Sequence, residues 1–167
     1  LMTRAYEATQ SSRWENAMNF YGQLYIQSTD WDSRGAYMDS VGVGKSMGPF
    51  HFGFINHALG RYYDLTGNMQ IKSKLIAMGQ FAKTYGLDPA TNATGVWIIF
   101  DDPTPGSWRH DSYGGPPGAY EYTASFVDSM VRGYRLTGDV SLLNSAKEQW
   151  NHANRGIYGT LTPIAPE

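Results

Sequence analysis

Two similar stretches decide how this chain folds: RYYDLTGN, Arg61–Asn68, and RGYRLTGD, Arg132–Asp139. A weaker version, RAYEATQS, begins at Arg4. All three read Arg-x-Tyr-x-x-Thr, and the two stronger ones run on into glycine. The string has the chemistry of a helix that stops and is at once followed by another. Gly67 and Gly138 suit the left-handed residue that ends a helix, because they carry no Cβ to clash there. Asn68 and Asp139 can then accept hydrogen bonds from the first free N–H groups of the next helix. In the first copy, Ser12 and Glu15 have the spacing of a capping box. Turns this short join antiparallel neighbours, so each copy marks one helical hairpin.

Apolar residues on both sides of the turns recur at helical spacing. Ile55, Ala58, Leu59 and Tyr62 form one stripe, and Ile71, Leu75, Met78 and Ala82 form the next. Around the later turn the stripes are Tyr122, Phe126, Met130 and Tyr134, then Leu143, Ala146, Trp150 and Ala153. Trp14, Ala17, Met18, Tyr21 and Tyr25 serve the helix after the first turn. The pattern predicts helices near 12–27, 51–66, 69–85, 119–137 and 140–155, with a short one over 1–9. The expected fold class is all-α, built from tandem antiparallel hairpins.

The hairpins are joined by long links, Ser28–His51 and Gly86–Gly118. Ordered links of such length are commonly functional. The second contains VWIIF, Val96–Phe100, which predicts a short strand. Because every hairpin returns the chain to the side it started from, both links are expected on one rim of the stack. Composition excludes other classes. The net charge is −2 with 17% charged residues, which builds no surface for tracking phosphates, so nucleic acid is not an expected partner. No apolar run approaches the length of a membrane span. Cysteine is absent, which removes disulfide and thiolate chemistry. Aromatic residues make up 14%, including 12 Tyr and 5 Trp, enough to supply binding walls as well as core. GVGKS, Gly42–Ser46, lacks the first glycine and the preceding strand of a phosphate loop.

Three features together resemble the (α/α) toroid of the six-hairpin glycosidase-like superfamily. They are the tandem L-T-G-N/D turns, the segment GPFHFGFINHALGRYYDLTGN, and the loop-to-helix segment HDSYGGPPGAYEYTASFVDSMVRGYRLTGD. Within that superfamily the order of His, Gly-Gly, helix and Y-x-L-T-G-D is similar to rhamnogalacturonan-type exo-lyases. The resemblance covers most of the chain and implies a carbohydrate-active protein whose partner is an oligosaccharide or polysaccharide. It further implies an extracellular or periplasmic setting. At this repeat length a closed six-hairpin ring would take on the order of 350–400 residues. Residues 1–167 are therefore expected to form one toroid segment of a larger domain, its remaining hairpins coming from the same chain or another subunit.

The links carry residues suited to cleaving a uronate-containing glycan. β-Elimination needs a cation on the substrate carboxylate, a base for the adjacent C–H, and an acid for the leaving oxygen. His110 and Tyr113 are the candidates for proton transfer, with His51 next, and Arg109 suits the carboxylate through bidentate bonding. Trp31, Trp108 and Tyr120 are candidate sugar-stacking platforms, with Asp32 and Asp111 for hydroxyl groups. The alternative of hydrolysis would use paired carboxylates among Asp30, Asp32, Asp101, Asp102, Asp111 and Glu121, roughly 5–9.5 Å apart. The histidines lack metal-ligand spacing, so neither metal nor cofactor is expected. The non-enzymatic alternative is a helical-repeat interaction module.

Overall fold

The structure, a computed structural model, describes residues 1–37, 46–86, 97–99, 108–109 and 120–158. Among the described residues six helices form three consecutive hairpins: α1 (Met2–Thr9) with α2 (Ser12–Gln27), α3 (Pro49–Thr66) with α4 (Met69–Tyr85), and α5 (Tyr120–Thr137) with α6 (Val140–Tyr158). The links contribute β1 (Ser46–Met47), β2 (Trp97–Ile99) and β3 (Trp108–Arg109), which pair antiparallel in that order. The all-α class and the hairpin arrangement follow the sequence pattern.

The three turns share one geometry. Thr9, Thr66 and Thr137 each donate a side-chain hydrogen bond to the carbonyl four residues back, at 2.6, 2.8 and 2.7 Å. The next residue then turns left-handed, and its N–H donates to the carbonyl of the motif tyrosine: Gln10 to Tyr6, Gly67 to Tyr63, Gly138 to Tyr134. Asn68 caps α4 by accepting from the N–H groups of Gln70 and Ile71, and Asp139 accepts from that of Ser141. The first turn departs from its expected capping box. Its N-cap is Ser11, whose side chain makes no cap bond, and Ser12 is already the first helical residue. Gln10 holds the left-handed position without glycine, at φ 52°.

The arginines that open the second and third motifs link successive hairpins. Arg61 pairs with Glu7, and Arg132 pairs with Asp64 at 3.1 Å. Glu7 and Asp64 occupy the same motif position, three residues after the preceding arginine, so the pairing steps from one hairpin to the next. In the third copy that position is Arg135.

The core lies between the second and third hairpins. Phe52 on α3 packs on Phe81 of α4 and Phe126 of α5, all fully buried. Helices α3 and α5 run side by side in step, since Asn56 donates to Asp128, 72 residues on, at 2.7 Å, and Gly53 and Gly60 meet Ser125 and Arg132 at the same offset. Helices α4 and α5 approach closely at two glycines. A Cβ on Gly79 would lie 2.9 Å from the Ser129 carbonyl and 3.2 Å from Gly133. On α6 the buried stripe is Leu142, Ala146 and Gln149, whereas Trp150 is about half exposed. This shifts the expected stripe by one residue, because the polar Gln149 rather than the apolar Trp150 faces α5 and α4.

Candidate functional site

The two long links meet. Ser46 and Met47 of the first pair with Ile99 and Ile98 of the second, and Trp97 and Ile98 pair onward with Arg109 and Trp108. β1 runs through Gly48 into Pro49, whose missing N–H costs nothing at the first position of α3. His51 therefore stands on the first turn of α3, half-buried with its ring 5.9 Å from that of Phe50. Tyr120 opens α5, and since α3 and α5 run parallel in step, both residues belong to the same end of the stack. Trp108 and Arg109 form β3. The remaining expected site residues on this rim, His110, Asp111 and Tyr113, lie outside the described residues, as do Asp101 and Asp102.

The first link begins as a compact loop over residues 28–37, held against α4. Gly35 adopts φ +100° where a Cβ would lie 2.7 Å from the Ala77 carbonyl, so only glycine lets the loop press this close. Ala36 beside it is fully buried, and its carbonyl accepts from the Asp32 N–H at 2.7 Å. Trp31 and Asp32 both fasten this loop. The Trp31 indole N–H donates to the Tyr25 carbonyl at 2.6 Å, its edge meets Tyr37, and the Lys74 ammonium sits 4.1 Å from its ring centroid. Burial against that ring lowers the pKa of Lys74. Asp32 accepts two bonds from the Arg34 guanidinium, at 2.9 and 3.1 Å, and Arg34 in turn lies over the Tyr85 ring. From Tyr85 the contacts continue through Phe81 to Phe52, next to His51, so the loop and the first turn of α3 share one packed support.

The same loop builds a site that the sequence pattern did not single out. Ser28 donates to Asp30 at 2.9 Å, the Tyr37 hydroxyl donates to the same carboxylate oxygen at 3.3 Å, and no cation pairs with Asp30 among the described residues. Ser28 and Tyr37 edge an open cup of about 610 Å³, walled by Tyr21, Leu24 and Tyr25. On the other side of Tyr21 and Tyr25 lies a second cavity, about 340 Å³, between α1, α2 and α3. It is walled by Phe54 and Tyr62 and rimmed by Arg4, His57 and Arg61. Gly22 makes this crossing possible, since a Cβ there would fall 2.5 Å from the Tyr62 ring. Periodicity places Tyr21 on an inward stripe, yet it is half exposed. The signal for its role is Gly22 itself, a mid-helix glycine that marks close approach of another element.

Among the described residues no cluster of three or more His, Asp or Glu is arranged to hold a metal, and no helix is long and apolar enough to cross a membrane. No family model, curated protein or solved structure matches the chain. What can be said of its chemistry rests on the residues themselves. The described part offers an aromatic wall of Tyr21 and Tyr25, the Ser28 and Tyr37 hydroxyl groups on one side of it, and Arg4, His57 and Arg61 on the other.

Proposed function

We propose that the chain is a segment of a carbohydrate-active (α/α) toroid that binds an acidic oligosaccharide and cleaves it by β-elimination. The observation that carries this reading is the β1–β2–β3 pairing, which draws both long links to the end of the stack where α3 and α5 begin. In the proposed step, Arg109 neutralises a uronate carboxylate and so acidifies the adjacent C–H. His110 or Tyr113 removes that proton, with His51 as the next candidate. As the new C=C forms, the glycosidic C–O bond breaks and its oxygen takes a proton, leaving one unsaturated and one saturated sugar end. Trp108, Tyr120 and Asp111 would position the sugars, and an extracellular or periplasmic setting would supply such a substrate. The missing hairpins of a closed ring would come from the same chain or another subunit.

Incubation with oligogalacturonate tests this directly. An ultraviolet-absorbing unsaturated product is expected, and Arg109→Ala or His110→Ala should slow its formation by about 10²–10⁴-fold. New reducing ends without unsaturation would replace the lyase by a hydrolase. Neither product would favour a second reading, a helical-repeat interaction module, for which the exposed Phe20, Leu24, Phe50 and Phe54 on α2 and α3 speak.

A further inference from the structure

We infer that the hairpin stack accepts a further unit on one side only: the α1 face takes a helical hairpin that presents a carboxylate and a glycine at two fixed positions, and the α5–α6 face refuses one. This does not rest on the saccharide reading. It comes from the two hairpin-to-hairpin contacts inside the structure.

Both contacts use the same two positions. The first lies three residues after the motif arginine, where Glu7 takes Arg61 and Asp64 takes Arg132. The second lies twelve residues after the left-handed residue of the turn, on the second helix of each hairpin: Gly22 after Gln10, and Gly79 after Gly67. A Cβ on Gly22 would lie 2.5 Å from the Tyr62 ring, and one on Gly79 would lie 3.2 Å from Gly133. Tyr62 and Gly133 each directly follow the motif arginine of the next hairpin. Each of the first two hairpins thus offers a carboxylate and a glycine, and its successor answers with an arginine and the residue beside it.

The third hairpin changes both positions. Arg135 stands in place of the carboxylate and Trp150, twelve residues after Gly138, in place of the glycine. Both are exposed, and Arg135 makes no ion pair among the described residues. An incoming motif arginine would meet Arg135 charge to charge, and the indole would fill the place of closest approach. Refusal outweighs attraction here, because an exposed ion pair adds little whereas like charges and a blocked contact exclude a partner strongly. On the opposite side the answering half is intact. Arg4 is exposed and makes no ion pair among the described residues, the small Ala5 follows it, and α1 buries no residue. The hairpin that fits there carries Asp or Glu near the end of its first helix and Gly on its second. A second wild-type copy does not qualify, since its α5–α6 face presents Arg135 and Trp150.

The test is analytical ultracentrifugation of the wild-type chain, of the double variant Arg135→Asp with Trp150→Gly, and of that variant with Arg4→Asp added. The double variant rebuilds the missing carboxylate and glycine, so its copies should stack head to tail. Its mass should rise with concentration beyond the 18.6 kDa of one chain, less so at high salt. The wild type should stay at 18.6 kDa, and Arg4→Asp should return the double variant to that mass. Both replaced side chains are exposed, so the double variant should fold, which circular dichroism checks. Should glycine unwind α6, Trp150→Ala keeps its helix propensity and should give the same assembly about tenfold more weakly. A folded acceptor variant that stays at 18.6 kDa overturns the inference, as does one whose assembly Arg4→Asp leaves unchanged. A wild-type oligomer that Trp150→Gly dissociates also overturns it, by making the α5–α6 face a docking surface.

Discussion

The first hairpin and the later two are built from the same turn and packed in opposite ways. Between α3, α4 and α5 the contacts are a fully buried phenylalanine cluster and glycine-to-backbone approaches. Helix α1 buries no residue, and α2 buries only Met18 and Gly22. The first hairpin is attached to α3 by the Arg61–Glu7 pair and by Tyr62 lying over Gly22, and both cavities open beside it. The difference shows how one repeat can serve two ends. A motif confined to the turn fixes the direction of the chain, and the residues away from the turn decide whether a face is filled or left open.

Six substitutions would break or sharpen this contrast. Phe52→Ala should cost about 3–5 kcal/mol in chemical denaturation, since it empties the junction of three helices, while Phe20→Ala on α2 should stay within about 0.5 kcal/mol. Gly79→Ala should cost about 1–3 kcal/mol, because α4 and α5 must separate to admit its methyl group. At the turns, Gly67→Ala should lose about 1 kcal/mol through its φ of 65° alone, as nothing lies within 4 Å of the added Cβ. Gln10→Gly should gain a comparable or smaller amount by relieving the same strain in the first turn. Arg61→Ala should cost under about 1 kcal/mol, since this pair is roughly one-third exposed on both sides. Its clearer effect should be faster amide exchange in α1, leaving α4 and α5 unchanged.

The last turn also carries a pH dependence. Hydrogen bonds from the Ser141 hydroxyl, from Gln80 and from the Ser141 N–H hold the Asp139 carboxyl below its usual value of 3.8. A lowered folded-state pKa means that Asp139 contributes its full stability above that usual value and loses it as pH falls through the lowered one. Acid denaturation of Asp139→Asn should therefore be less steep in that range than that of the wild type, whereas Ser11→Ala should not alter it.

The hairpins were legible because their signals are local. Thr, Gly and Asn or Asp act on backbone groups within four residues, so Arg61–Asn68 and Arg132–Asp139 declare their turns without tertiary help. The meeting of the links was legible only as geometry, from hairpins that return the chain to one side, and the sheet realises it. What stayed hidden depends on partners far along the chain. Nothing near Trp150 says that Gln149 takes the buried place, and nothing near Arg61 names Glu7. Trp31 and Asp32 read equally well as ligand-binding groups and as loop fasteners until Lys74 and Arg34 are seen beside them. Asp30 was legible only as one of several carboxylates. Its distinction comes from the Ser28 and Tyr37 hydroxyl groups and from the arginine that went to Asp32 instead.

A firm scaffold, α3 to α5, stands beside a first hairpin that buries little. Amide hydrogen exchange of the chain compares the two in one measurement. The prediction is slow exchange in α3, α4 and α5 and fast exchange in α1 and α2. Uniform exchange across all hairpins, or slower exchange in α1 and α2 than in α4, would contradict it.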